Sequence, residues 1–512
     1  MADGPSEMSM NKLKKSAYNL IFSAFSQLVT MILGIVLPRI IMEGYGSEIN
    51  GLLSSVTQLV AYLILFESGI QAVATKSLYA TVGREDRKGT NEILSAVNQN
   101  YKRIGCLYCL GLLALAVAYP LFVQVEGLSY PAVFLIVFFS GFANVISFFF
   151  QGKYRILLTV DGKEYILTNL TTITNVLNNV LKIVLLALNL DVYLVVVLSF
   201  FVSLIQTFYI TAYIRKKYAW IDLGEKPNFD ALNQSGHAMI HQISGLIFSN
   251  TDVLLLTVFC GLRVVSVYTV YKLILGHIAT LLTMPFSSCT FALGQAYNLN
   301  RERYKKWLDS VQVIFALLVF SVFSVAYRLI LPFMTLYTDG VTDIQYIDRY
   351  LPALFILAEI LNMIRVPTRH TVNCAGHFKE TVPRTIAETA INLTVSVVGV
   401  VFLGIYGVLL GTIAALAYRS IDFILYANRT ILKRGAGRNL MYYAVNGLAA
   451  VALIWVFSRI SFDIGSYLDF AVAGVILSVA AMVVFVAVNA AVFRKEFLFV
   501  WKYACNRMKR KR

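Results

Sequence analysis

Long apolar runs, each near the length of a membrane-spanning helix, alternate with short polar segments along nearly the whole chain. A spanning helix needs roughly 20 predominantly apolar residues. Runs of that kind occur near 16–38, 51–73, 104–124, 131–151, 165–189, 192–214, 236–259, 264–289, 308–331, 350–372, 385–404, 407–428, 440–460 and 468–493. The pattern predicts about 14 transmembrane helices, some joined only by tight turns such as Leu190-Asp191 and Ile405-Tyr406. A β-barrel would need short strands of alternating polarity, which the runs do not show. The fold class expected is an all-α polytopic membrane protein, because lipid-exposed backbone must satisfy its own hydrogen bonds.

The segments between runs divide into two classes. Alternate ones carry Lys12, Lys14 and Lys15; Lys76, Arg84, Arg87, Lys88, Lys102 and Arg103; Lys153, Arg155 and Lys163; Arg215, Lys216 and Lys217. The series continues with Arg301, Arg303, Lys305 and Lys306, then Lys379 and Arg384, then Arg429, Lys433, Arg434 and Arg438, and ends in KRKR. The intervening segments are short and slightly acidic, with Glu43, Glu48, Asp339, Asp343 and Asp348. Basic loops stay in the cytoplasm, so both termini are expected there and the span count should be even.

Composition agrees. Of 512 residues 58% are hydrophobic and 14% charged, against about 25% charged in soluble domains. The net charge of +16 reads as loop anchoring against anionic lipid rather than nucleic-acid binding, since the cations sit between apolar runs. Six cysteines form no disulfide or zinc framework, and Cys106 and Cys109 lie inside an apolar run. The polar N-terminus does not resemble a cleavable signal peptide.

Ionisable groups inside a span cost roughly 2.5–3.5 kcal/mol each on insertion scales, and so mark cavities or bundle interiors. Glu67, Lys182, Asp252, Lys272, Glu359, Arg365, Arg369, Arg419 and Asp422 lie within apolar runs, with His237, His241, His277 and His370 nearer helix ends. In the fifth span Thr168, Thr171, Asn175, Asn178, Asn179 and Lys182 recur at three- and four-residue steps and share one face. His237, His241, Gly245, Phe248 and Asp252 form a second stripe. Asn362, Arg365 and Arg369 form a third, beside Pro367, which should bend the helix.

The asparagines can serve as interhelical hydrogen-bond glue, Arg419 and Asp422 as a self-neutralising pair, and Asp252 as the partner of a buried cation. Arg365 and Arg369 can also snorkel from a helix end. The excess of cations suits an anionic cargo, because Arg and Lys bind phosphate strongly. Tyr268 and Tyr271, beside Lys272, offer flat faces that suit sugars. The cargo expected is an amphiphile with a phosphate head and a glycan.

No enzyme chemistry stands out. The chain has no phosphate-cradling G-x-x-x-x-G-K-[ST], no soluble segment long enough for a nucleotide domain, and a His237/His241 spacing that lacks a metalloprotease glutamate. No cofactor, metal site or catalytic residue is expected.

The halves echo each other. GYGSEINGLLSSVTQLVAYLILFESG around Gly46 parallels CGLRVVSVYTVYKLILGHIATLLTMP around Gly261. Two six-helix lobes related by a pseudo-two-fold, followed by two further helices, form a transporter-like plan. The expected boundaries are a cytoplasmic N-terminus 1–15, lobes at 16–217 and 236–428, a linker at 218–235, a helix pair at 440–493 and a basic tail at 494–512.

GYGSEINGLLSSVTQLVAYLILFESGI, NTDVLLLTVFCGLRVVSVYTVYKLI and LGIYGVLLGTIAALAYRSIDFILYANR resemble the polysaccharide-exporter branch of the multidrug/oligosaccharidyl-lipid/polysaccharide (MOP) flippase superfamily, the Wzx-type O-antigen flippases. The resemblance covers nearly the whole chain. It implies alternating-access translocation of undecaprenyl-pyrophosphate-linked oligosaccharide across a bacterial cytoplasmic membrane, for O-antigen, capsule or exopolysaccharide. The implied partners are that glycan, membrane lipids and other polysaccharide-assembly membrane proteins.

Carried over by residue, Asp252 falls at the family's N-T-D and Glu67 in its acidic-x-Gly element. Asp252, Glu67 and Glu359, with His241 and the Arg419/Asp422 pair, are the candidates for proton or sodium coupling or for charge pairing. Lys182, Lys272, Arg365, Arg369, Asn175, Asn178, Tyr268 and Tyr271 are the candidates for substrate binding, on periodicity alone. A cation-coupled drug or metabolite exporter of the same superfamily is the alternative, although its lumen should be acidic. A lipid II flippase is disfavoured by the absence of an arginine cluster in the first span. A glycan polymerase or ligase is disfavoured by the short outer loops.

Overall fold

The computed structural model describes residues 7–67, 70–232, 236–460, 462–497 and 499. Among them there is no strand. Among the described residues thirteen helical stretches are long and apolar enough to cross a membrane, and the protein is a multi-pass membrane protein. The first stretch, Gln27–Leu63, contains two helices that meet at Gly46, whose φ of 85° and ψ of 167° interrupt the helix. Counting them separately recovers the fourteen spans expected. Gly261, the residue that the sequence repeat pairs with Gly46, has the same φ of 85°. Glycine meets no Cβ penalty in that region.

The chain divides into two compact units, Met1–Ser266 and Val267–Arg512. The first contains α1 (Glu7–Leu63), α2 (Ile70–Gly83), α3 (Arg87–Phe122), α4 (Tyr130–Phe150), α5 (Gly152–Val160), α6 (Glu164–Ala187), α7 (Val192–Lys217), α8 (Gly236–Phe259) and the start of α9 (Leu262–Leu299). The span expected over 51–73 stops at Leu63, where a tighter 3₁₀ turn, Ile64–Glu67, takes over. Apolarity alone had run the helix on. The core of this unit gathers Leu52, Val56, Leu94, Val97, Tyr108, Leu112, Ile136 and Val137.

The first unit extends to Ser266 and so includes α8, which the sequence reading assigned to the second lobe. The cause is a line of small and hydroxylated residues along α1. Gly51 lies so close to Leu262 that a Cβ would reach its carbonyl oxygen at 1.9 Å. Asn50 Nδ2 donates to Ser266 Oγ at 2.7 Å, and Thr257 Oγ1 to Ser55 Oγ at 2.9 Å. Tyr62 and Thr251 share a hydroxyl–hydroxyl bond of 2.8 Å. Small residues let helices approach, and hydroxyls then bond across the seam.

The second unit continues α9 and adds α10 (Arg301–Tyr337), α11 (Leu351–Ile364), α12 (Val366–Ala375), α13 (Phe378–Leu403), α14 (Ile405–Tyr426), α15 (Gly437–Ser458) and α16 (Tyr467–Val492). α10 packs on α11, α15 and α16, and α13 pairs with α14. That pairing is as close as backbones allow: a Cβ on Gly407 would lie 2.0 Å from Gly399 O, and one on Gly411 2.7 Å from Ser396 N. Gly407 and Gly411 form a G-x-x-x-G on α14. α15 and α16 are clasped by two reciprocal amide bonds between buried Asn446 and Asn489, at 3.1 and 2.8 Å. Their outer faces show Leu448, Val451, Val475 and Val479, as a lipid-facing helix should. The N-terminal lysines Lys12, Lys14 and Lys15 (as side chains), linker residues 233–235 and tail residues 500–512 lie outside the described residues.

Candidate functional site

The densest group of charges lies in the second unit, where α11 breaks. Pro367 stands in the first turn of α12 and has no N–H to continue the helix, so the chain turns at Arg365. Arg365 donates from Nε and Nη2 to Asn362 Oδ1, at 3.2 and 2.8 Å, and from Nη1 to Glu388 Oε1 on α13 at 2.5 Å. The other carboxylate oxygen of Glu388 lies 3.2 Å from Arg419 Nε on α14. Arg419 donates to Asp422 Oδ2 at 2.7 Å and to Thr385 Oγ1 at 3.0 Å. Arg384 closes the series on Asp422. Three guanidiniums thus alternate with two carboxylates. The centre is dry, Arg419 being 2% and Glu388 7% exposed.

Further charges flank this row. Glu359 shares a hydrogen bond with Asn362 and feels the charges of Lys272 and Arg365. Lys272 stands over the Tyr268 ring, 5.4 Å from its centroid. Arg369, one turn beyond Arg365, is exposed and has no ion pair among the described residues, although Arg365, Glu388 and Arg419 lie within electrostatic reach. Five cations here meet three carboxylates, which leaves a positive excess that an oxyanion can neutralise.

In the first unit the expected residues are dispersed. Asp252 is buried, 2% exposed, beside Tyr62. Glu67 accepts a 2.6 Å bond from the Tyr101 hydroxyl. Lys182 is half-buried and has no hydrogen bond or ion pair among the described residues. On the same stripe, Asn178 Nδ2 donates to Ser203 Oγ of α7 at 3.0 Å, and Gln206 Nε2 of α7 donates to Thr171 Oγ1 at 3.1 Å. The α6 stripe is therefore partly glue to α7. Asn175 offers its backbone carbonyl to Asn179 Nδ2, at 2.7 Å. His241 is half-buried on α8, and the side chain of His237 lies outside the described residues.

Comparison with known proteins places this architecture. No family profile and no curated protein sequence matches the chain. Among solved structures, the lipid II flippase MurJ in an inward closed conformation superposes with a TM-score of 0.67 at 12% identity, covering 92% of this chain and 99% of that one. An inward-facing multidrug resistance MATE family transporter of the MOP superfamily superposes at 0.59 with 16% identity, covering 81% and 98%. An outward-facing MATE transporter gives 0.51, again at 16% identity, covering 82% and 96%. The chain has the MOP-transporter fold.

Within that fold, the two tyrosines expected to face sugars do not present their rings. Tyr268 and Tyr271 are 2% and 0% exposed. Tyr271 stacks on Phe355 of α11, with centroids 5.5 Å apart, and donates to Tyr346 O at 2.9 Å. Their spacing beside Lys272 is that of a packed helix face. Arg419 and Asp422 pair as expected, and each has a second partner that the sequence reading missed. Glu388 was the overlooked residue, although a lone carboxylate in the run AETAINLTVSVVGVV is the signal that flags a buried ion partner. Arg384, a loop charge by sequence pattern, lies on α13.

A buried cation in the first turn of α5 was missed too. Lys153, 7% exposed, donates to Asn98 Oδ1 at 2.8 Å and Phe149 O at 3.2 Å. Burial, reinforced by the charge of Lys102, lowers its ammonium pKa to about 8. An unfolded lysine titrates near 10.4. The stability this group contributes is therefore full above about 10.4 and is lost as pH falls through about 8. Wild type should gain roughly 3 kcal/mol from this residue across that window, and Lys153→Met should flatten the rise. Unfolding of the two proteins in detergent from pH 7.5 to 10.5 measures it. Parallel profiles would contradict the assignment.

Proposed function

We propose that this protein is a flippase that moves undecaprenyl-pyrophosphate-linked oligosaccharide across a bacterial cytoplasmic membrane for surface-polysaccharide assembly, by alternating access. The observation that carries the reading is the positive excess around the α11–α12 break, with Arg369 exposed and free of any ion pair among the described residues. A pyrophosphate presents several oxygens to such a group, and Arg can bind them in bidentate fashion. The glycan then needs a wet path, while the prenyl tail stays in lipid. Lys272, in the same unit as Arg369, is the further cation assigned to the head group, and Lys182 is a separate substrate contact of the first unit. Asp252, Glu67 and Glu359 are the carboxylates through which a proton or sodium gradient would act. A pump for cationic drugs would need the opposite sign of charge.

The test is genetic and chemical. In a strain lacking the chain, lipid-linked precursor should accumulate on the cytoplasmic side and surface polysaccharide should disappear. The wild-type gene should restore export, and a Lys182→Gln/Lys272→Gln/Arg369→Gln triple variant should not. Full export by a triple variant present at wild-type level would exclude the head-group role. Normal polysaccharide in the deletion strain, with lost resistance to cationic compounds, would favour the drug exporter.

A further inference from the structure

A second polar site lies entirely within the first unit. A cavity of about 220 Å³ opens among the 3₁₀ turn, α2, α3, α4 and α5, lined by Glu67, Gln71, Tyr101, Asn144, Ser147 and Arg155 together with apolar side chains. At about 30 Å³ per water it has room for roughly seven. That is too large for a bare ion and too small for an oligosaccharide.

Its two charges have opposite sign and do not pair with each other. Glu67 is held by the Tyr101 hydroxyl at 2.6 Å, and Arg155 has no ion pair among the described residues. The separation is built into the backbone. α4 stops at Gln151 and α5 restarts at Gly152. The Tyr101 ring rests where a side chain on Gly152 would be, 2.6 Å from the position of a Cβ. Arg155 follows three residues later on α5. One aromatic ring thus sets both where Glu67 is anchored and how near α5 can come. A carboxylate and a guanidinium facing one space without meeting leave each charge to be neutralised by a ligand, and amides and hydroxyls between them can bond its middle.

We propose that this cavity binds a small zwitterion of the phosphoethanolamine type, its ammonium on Glu67 and its phosphate on Arg155. The group can arrive as a phospholipid headgroup or as a free solute. The site shares Glu67 with the coupling carboxylates proposed above, but it uses none of the cations assigned to the cargo, and Arg155 and Gln71 belong to this cavity alone.

The test uses the full-length protein in lipid nanodiscs and labelled O-phosphoethanolamine, with ethanolamine and inorganic phosphate as competitors. The zwitterion should bind at least tenfold tighter than either half. Glu67→Gln and Arg155→Gln should each weaken it at least tenfold. Gln71→Trp, placed on an exposed lining residue so that folding is spared, should block it while both charges stay in place. Phosphate competing as well as phosphoethanolamine, or binding that survives all three substitutions, would overturn the proposal. Discs of phosphatidylethanolamine compared with phosphatidylglycerol separate the sources. A tenfold weaker apparent affinity in the former assigns the lipid headgroup, and equal affinity assigns the solute. Polysaccharide export measured on Arg155→Gln and Gln71→Trp, neither of which has a role in the proposed transport, keeps this result distinct from the flippase reading.

Discussion

Glu388→Ala is expected to destabilise the protein by about 3–5 kcal/mol, the usual cost of stripping one partner from a buried ion pair. Glu388 stands between Arg365 at 2.5 Å and Arg419 at 3.2 Å. Removing it leaves two guanidiniums facing each other across α13, with one remaining carboxylate, Asp422, already shared with Arg384. Arg419, 2% exposed, cannot reach water. Unfolding in detergent measures the loss, and a change below about 1 kcal/mol would show that the row is not what holds α13 and α14 to α11. Adding Arg419→Met to Glu388→Ala should recover part of the loss, because an apolar side chain of similar length removes the stranded charge.

Arg369→Gln is expected to act in the opposite way. Its guanidinium is exposed and has no ion pair among the described residues, so stability should change by less than about 0.5 kcal/mol, as at an ordinary surface position. Export should nevertheless fall at least tenfold, with lipid-linked precursor accumulating, because the substitution removes a charge that forms no ion pair among the described residues. Arg369→Lys should restore part of the export, since the charge returns without the planar fork that grips two oxygens. Arg419→Gln makes the control: it should lose export through loss of folded protein. Equal export by Arg369→Gln and wild type would remove Arg369 from the substrate path.

Arg365 and Arg369 show how far the sequence can be read. They lie four residues apart and share a helix face by periodicity, and the reading treated them alike. The structure separates them because the chain breaks at Arg365 and α13 brings Glu388 to it, while Arg369 lies past the break. That difference depends on a residue 23 positions away. Periodicity on one helix cannot carry it. The same holds for Tyr268 and Tyr271, whose spacing is legible but whose burial is set by Phe355 on another helix. It also holds for Glu67, whose partner Tyr101 is 34 residues distant.

The helices themselves needed no tertiary information. Hydrocarbon leaves the backbone no partner but itself, so any apolar run of spanning length becomes helix, and the runs were visible as written. The interruptions were visible wherever backbone chemistry imposes them locally, at Pro367 and at the paired glycines Gly46 and Gly261. The pairing of charges, the close approach of Gly407 to Gly399, and the separation of Glu67 from Arg155 across a shared space were decided only by packing. Each depends on side chains from different helices meeting at distances of a few ångströms. One-dimensional order constrains such meetings only through the whole fold.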